Sequence, residues 1–117
     1  MIEDNAENLR GAVLDYVEQM ERAGSALDLI SDKAHEIKGF ADTAGLPATA
    51  RIAEGLCNYL EECDAAKIIP DGPVVALYVS AVARSARDSG RETQTSNKVA
   101  NELAALAALK LMEVKAR

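Results

Sequence analysis

The sequence predicts an all-α protein: an up-and-down antiparallel four-helix bundle with one additional helix, five helices in all. Apolar residues recur at steps of three and four through most of the 117 residues, which is the period of a helix with one buried face. Aromatic residues make up only 3% of the chain, tryptophan is absent, and alanine and leucine are frequent. Such a composition favours helices packed through small aliphatic side chains over a sheet.

Composition limits the classes of partner. One domain, 1–117, is long enough to bury a core without a metal or a disulfide. The net charge of −6 argues against nucleic-acid binding, which requires a basic face. The longest uncharged run, 72–83, has 12 residues, fewer than the roughly 20 that span a bilayer, so no membrane contact is expected. The chain starts Met-Ile-Glu-Asp without a secretory signal, and we expect a cytoplasmic protein.

The cysteines and the single histidine do not suggest a metal site. Cys57 and Cys63 are six positions apart on one predicted helix and so face different directions. We interpret them as small buried or half-buried apolar residues that do not form a disulfide with each other. One histidine and two separated thiols make a poor zinc ligand set, since closed zinc sites use four ligands. We therefore expect neither a metal nor a cofactor.

The first two helices are predicted from their apolar stripes. Helix 1 is expected from Glu3 to Arg22, ended by Gly24, and Ser25 with Asp28 indicates the start of helix 2. Helix 2 is expected to end near Ala44, with Gly45 as a left-handed terminator. The stripe of helix 1 is Ala6, Leu9, Val13, Val17 and Met20. That of helix 2 is Leu27, Ile30, Ala34, Ile37, Ala41 and Ala44.

Three further helices follow. Helix 3 is expected from Pro47 to about Cys63, and helix 4 from the turn cluster 70–73 to about Ser89, although its β-branched residues also suit a strand. Helix 5 is expected over 97–115, with Thr95 or Ser96 as its cap. Its wide apolar surface indicates either a central position in the bundle or contact with a second chain. The sequence does not show which helix is accessory. Helix 3 is buried along Ala50, Ala53, Leu56, Cys57 and Leu60.

The only histidine, His35, lies on the predicted second helix. At about 100° per residue it is roughly 130° from the centre of the apolar stripe, so its imidazole should reach solvent. Lys38 and Gly39 follow one turn later, where helical side chains are neighbours. Glycine within a helix costs roughly 0.5–1 kcal/mol relative to alanine, so Gly39 requires a reason. Two are open: clearance for a docking partner beside His35, or a close helix crossing.

This pattern resembles the histidine phosphotransfer (Hpt) family. The family motif, a histidine followed by lysine at plus three and glycine at plus four and plus ten, is met by His35, Lys38, Gly39 and Gly45. The likeness covers about residues 25–64 and continues into the next helix. There it is carried by Leu46, Ala53, Cys57, Leu60 and Glu61.

The resemblance implies a phosphoryl carrier that is not an independent enzyme. His35 would accept a phosphoryl group on Nε2 from the aspartate of a receiver domain and pass it to the receiver of a response regulator. Lys38 would stabilise the phosphoryl charge and Gly39 would provide steric access. The receivers would supply magnesium, and no Walker-type loop for direct use of ATP is present. The partners would be receiver domains of a sensor kinase or of response regulators, with a monomer expected in preference to a dimer.

Two other interpretations stay open. The segment 35–38 also resembles the H-E-[LI]-[RK] motif of a dimeric histidine-kinase-like dimerisation and phosphotransfer module, from which Gly39 departs. Alternatively, the chain is a helical adaptor whose histidine is incidental.

The sequence assigns no single role to several residues near His35 or to the arginines of helix 4. Ser31 and Asp32 lie one turn upstream of His35, where they could orient its ring, and Phe40 and Asp42 replace residues that are often small in the family. A basic line on helix 4 is either a solvated face or a docking site for an acidic partner. It consists of Arg84, Arg87 and Arg91.

Overall fold

Five helices make up the computed structural model, which describes residues 2–24, 26–88 and 94–115. They are α1 (Ile2–Arg22), α2 (Leu27–Ala41), α3 (Pro47–Ala65), α4 (Gly72–Arg87) and α5 (Gln94–Lys115). No strand occurs in these ranges, so the all-α class is confirmed for the described chain. The β-branched run on the fourth segment is helical. Within the same ranges, no helix combines the length and the apolar composition needed to cross a bilayer.

The two predicted glycine terminators are confirmed. Gly24 and Gly45 have φ angles of +61° and +79°, in the left-handed region that glycine adopts without steric cost. Helix α2 ends at Ala41, three residues before the predicted end, and 42–45 form one further turn. That turn closes with two backbone bonds, from the Leu46 amide to the Ala41 carbonyl (2.8 Å) and from the Gly45 amide to the Asp42 carbonyl (3.1 Å). This is a Schellman motif.

Two helix ends lie where the local sequence gives little indication. Helix α3 continues to Ala65, two residues past the predicted end, and closes with the same motif around Lys67, whose φ is 56°. A lysine is an unusual residue for that conformation and therefore does not predict a helix end. Helix α2 begins after Ala26, which makes no side-chain cap, while Ser25 lies outside the described residues.

The predicted cap of the fifth helix is wrong. Helix α5 begins at Gln94, which places Thr95 and Ser96 inside its first turn. Its first turns are fastened to α3 by Arg51, whose guanidinium donates to Asn97 Oδ1 (2.6 Å) and Asn101 Oδ1 (3.0 Å). This contact joins residues 46 and 50 positions apart, so no local pattern reveals it.

Helix α4 runs from Gly72 to Arg87, against the predicted end near Ser89. The turn cluster that precedes it also supplies its cap, since Asp71 Oδ1 accepts a hydrogen bond from the Val74 amide at 3.1 Å. Asp71 takes the extended backbone conformation that is usual for an N-cap residue.

Helix neighbours place α5 at the edge of the molecule. Within the described ranges, helices α1 and α3 each pack against both α2 and α4, whereas α5 packs only against α3 and α4. The alternative that α5 occupies a central position is therefore excluded. One pair departs from a simple antiparallel alignment: Glu21, near the end of α1, accepts two hydrogen bonds (2.6 and 3.2 Å) from Arg87, the last residue of α4. Two C-terminal ends meet there, which helices antiparallel along their full lengths do not allow.

The predicted stripes of α1, α2 and α3 form half of one continuous core. Leu9 and Leu27 are half-buried, and the side chain of Ala6 lies outside the described part. Both cysteines are buried thiols, which confirms the prediction about their environment. The large side chains with the least exposure come from four helices: Val13, Val17, Met20, Ile30, Ile37, Leu56, Val74, Tyr78 and Val82.

Candidate functional site

His35 is carried on the outer side of α2. The opposite side of this helix, formed by Ile30, Ala34, Ile37 and Ala41, is buried in the core. Because these four side chains fix the rotation of α2 about its axis, His35 has to point away from the interior. Its side chain is 47% exposed, as the periodicity predicted. The imidazole is therefore accessible to a visiting protein.

The imidazole faces a carboxylate of the next helix. His35 Nε2 lies 3.6 Å from Oε1 of Glu61, whose side chain is 63% exposed. That distance is too long for a hydrogen bond, so the contact is electrostatic and attractive when the ring is protonated. The sequence indicates Glu61 only as part of the family-like pattern of helix 3. Its contact with His35 depends on how α2 and α3 align across the turn between them, which no local pattern specifies.

Lys38 is exposed one turn below His35, and makes no hydrogen bond or ion pair within the described part of the chain. It lies on the α2–α3 side of the molecule, because its charge acts on the buried thiol of Cys57 in α3. Burial raises the pKa of Cys57 above 9.0, Lys38 opposes that rise and Glu61 adds to it. Both charges are therefore close enough to act on the same thiol, and Glu61 faces His35 from α3.

No packing contact in the described structure explains why residue 39 is a glycine. A Cβ atom added there would meet nothing within 4 Å. A close helix crossing, the structural alternative for this glycine, is therefore excluded. What remains is a helical position beside His35 with no side chain and open space around it.

The fold itself explains why residue 45, the last residue of the motif, is a glycine. Its φ of +79° is strained for any residue with a side chain, and an added Cβ would lie 3.0 Å from Arg10 Nη2. Arg10 is held there because its Nε donates to the Ala44 carbonyl at 2.7 Å. The turn after α2 and its tie to α1 account for this glycine without reference to a partner.

Of the neighbouring residues, Asp42 shares the His35 side and Phe40 does not. Asp42 is seven positions, or about two turns, from His35 and is exposed. Phe40 is about 140° around the helix and stacks on Tyr16 of α1, with ring centroids 5.9 Å apart. Ser31 and Asp32 make no hydrogen bond or ion pair within the described residues, so neither is engaged with the ring.

The predicted basic line on α4 is not a single surface. Arg87 is engaged with Glu21, whose hydrogen bonds raise the pKa of this guanidinium. Arg84 is exposed and lines an open groove of about 860 Å³ formed by α4, the end of α1 and the start of α2. Arg91 lies outside the described residues. In the described ranges, no cluster of three His, Cys, Asp or Glu side chains is arranged to hold a metal ion.

Comparisons with protein-family models, with curated proteins and with solved structures give no match to this chain. The functional interpretation therefore depends on the motif and on the geometry around it. That geometry consists of an accessible imidazole, one unpaired lysine, one facing carboxylate, and a glycine that leaves the adjacent surface open.

Proposed function

We propose that this protein is a histidine phosphotransfer protein of a phosphorelay. His35 accepts a phosphoryl group from an aspartyl phosphate of one receiver domain and donates it to the aspartate of another. The observation that supports this most directly is Gly39: the fold provides no internal reason for a glycine beside the exposed His35. A docking partner that has to approach the imidazole closely provides one.

The proposed transfer is an in-line displacement at phosphorus. The Nε2 lone pair of neutral His35 attacks the phosphorus, the N–P bond forms and the acyl-phosphate P–O bond breaks. The receiver carboxylate leaves with the electron pair, and the imidazole keeps its proton on Nδ1. Catalysis of such a loose transition state consists of positioning and charge stabilisation, and in this chain Lys38 supplies positive charge. The second transfer reverses these steps onto a new carboxylate.

Within this proposal α1–α4 are the four-helix bundle of the family and α5 is the additional helix. The pairwise packing of α1 with α2, α2 with α3, α3 with α4 and α4 with α1 supports that assignment, since it closes a ring of four. The chain acts without ATP or a cofactor of its own, the receivers bring the magnesium ion, and the expected compartment is the cytoplasm.

The test is phosphoryl transfer from a purified receiver domain labelled with ³²P on its aspartate. We expect acid-labile, base-stable label on the wild-type chain, none on His35→Gln, and slower labelling of Lys38→Ala. Lys98→Ala is the matched control, because this lysine lies on α5 and its contact is with Glu102. Label retained on His35→Gln would contradict the assignment of His35 as the acceptor, whereas absence of label on the wild-type chain would favour the adaptor interpretation.

A dimeric phosphotransfer module is the second candidate, because one observation favours it. Helix α5 lies at the edge of the molecule and exposes Leu109 (52%) and Met112 (68%), which leaves apolar surface uncovered in a single chain. Light scattering separates the candidates: a mass near 12.4 kDa supports the monomeric carrier and twice that mass supports the dimer.

A further inference from the structure

We propose that Glu61 keeps the phosphorylated form of His35 at a low level, so that the phosphoryl group leaves readily for a receiver. This inference rests on the proposed function. It assigns to a residue outside the motif a role in setting the phosphoryl-transfer equilibrium.

The geometry places the carboxylate at the nitrogen that would carry the phosphoryl group. Oε1 of Glu61 is 3.6 Å from Nε2 of His35, on the neighbouring helix. The Nε2 lone pair attacks only when that nitrogen is unprotonated, and the lone pair then faces a negative oxygen. Once the N–P bond has formed, the phosphoryl oxygens share this space with the carboxylate. Both side chains are about half exposed or more, so Glu61 can swing aside and leave the phosphoryl group room.

Other charges lie on the same side of the molecule as Glu61, two of the same sign and one that opposes it. Asp28, Glu61 and Asp64 line one shallow groove of about 350 Å³ between α2 and α3. Lys38 is a cation that acts between α2 and α3, and its attraction for a phosphoryl group on His35 opposes the repulsion of that group by Glu61. Removal of the Glu61 charge and removal of the Lys38 charge should therefore change the phosphoryl-transfer equilibrium in opposite directions.

The expected size follows from Coulomb's law. A phosphoryl group carries close to two negative charges and Glu61 carries one. At about 5 Å in a water-like dielectric, removal of the carboxylate charge should raise the phosphohistidine equilibrium about tenfold at 0.01 M salt. Screening reduces this to about fourfold at 0.15 M and to less than about twofold at 1 M.

The experiment measures how the phosphoryl group is distributed between the two proteins at equilibrium, in addition to the rate of transfer. The chain is mixed with a receiver domain labelled with ³²P on its aspartate, and the ratio of label on the chain to label on the receiver is read at equilibrium. Glu61→Gln should raise the ratio by these factors at the three salt concentrations. Lys38→Gln should lower it.

Glu62→Gln is the matched control. It removes the same charge from the next residue of α3, which points about 100° farther around that helix, and the charge of Glu62 acts on Tyr78 of α4. We expect it to leave the ratio unchanged. Thermal unfolding of all three variants identifies any change that comes from lost stability.

Three outcomes decide the matter. A raised ratio for Glu61→Gln that fades with salt supports the inference. An unchanged or lowered ratio, or a rise equal to that of Glu62→Gln, overturns it while leaving the phosphotransfer proposal intact. Absence of label on the wild-type chain, with the receiver still phosphorylated, removes the proposed function and this inference together.

Discussion

Replacement of Gly39 by alanine should separate folding stability from phosphoryl transfer. The added methyl group meets nothing within 4 Å, so it introduces no clash inside the protein. Alanine also removes the conformational cost of a glycine within a helix, roughly 0.5–1 kcal/mol. The free energy of unfolding should therefore rise by about that amount, and the midpoint of thermal unfolding by about 2–5 °C.

The same substitution should impair transfer, since the methyl group projects into the surface that the partner needs. Gly39→Leu should do so more strongly: overpacking at a close contact costs about 1–3 kcal/mol, or roughly a 5- to 150-fold loss in kcat/KM for labelling by a receiver. The assays are urea denaturation followed by circular dichroism, and initial rates of ³²P transfer at limiting receiver concentration.

Gly11→Ala supplies the matched control. Gly11 is an exposed glycine within α1, and an added Cβ there also meets nothing within 4 Å. It should stabilise the protein to the same extent and leave transfer unchanged. If Gly39→Ala stabilises and transfer by Gly39→Leu matches the wild type, the docking explanation for Gly39 is refuted. If Gly39→Ala destabilises, the open space around it has been misjudged.

Two further predictions concern stability. Gly45→Ala should lower the free energy of unfolding by about 1–2 kcal/mol, because alanine is strained at φ +79° and its Cβ would press on Arg10; urea denaturation measures this, and an unchanged midpoint contradicts it. Burial raises the pKa of Tyr78 above 10.0, so the folded protein binds its proton more tightly than the unfolded chain. Stability from this group is complete below pH 10 and is lost as the pH rises above it. Tyr78→Phe should flatten the decline in unfolding free energy above pH 10, and an identical decline in both proteins would exclude Tyr78 as a cause.

Periodicity was sufficient to locate all five helices, because which face is apolar is a property of residues three and four apart. The helix ends at Gly24 and Gly45 were also predicted from the sequence, since both glycines adopt a backbone conformation that few other residues accept. The end of α3 was misplaced for the converse reason: Lys67 adopts that conformation without being a glycine. Thr95 and Ser96 predicted a later start for α5 because their side chains favour a cap position, although both lie inside the helix.

For the candidate site, helical periodicity alone predicts that His35, Lys38 and Gly39 lie together on the solvent side of one helix, since the buried side of that helix leaves them no other direction. Three features could be known only once the helices were packed together: Glu61 faces the imidazole, Gly39 borders open space, and α5 lies at the edge. This difference follows from how far apart along the chain the interacting residues are. Helical periodicity is set by bonds between near neighbours, whereas the alignment of two helices depends on the turn that joins them and on the packing of the whole core.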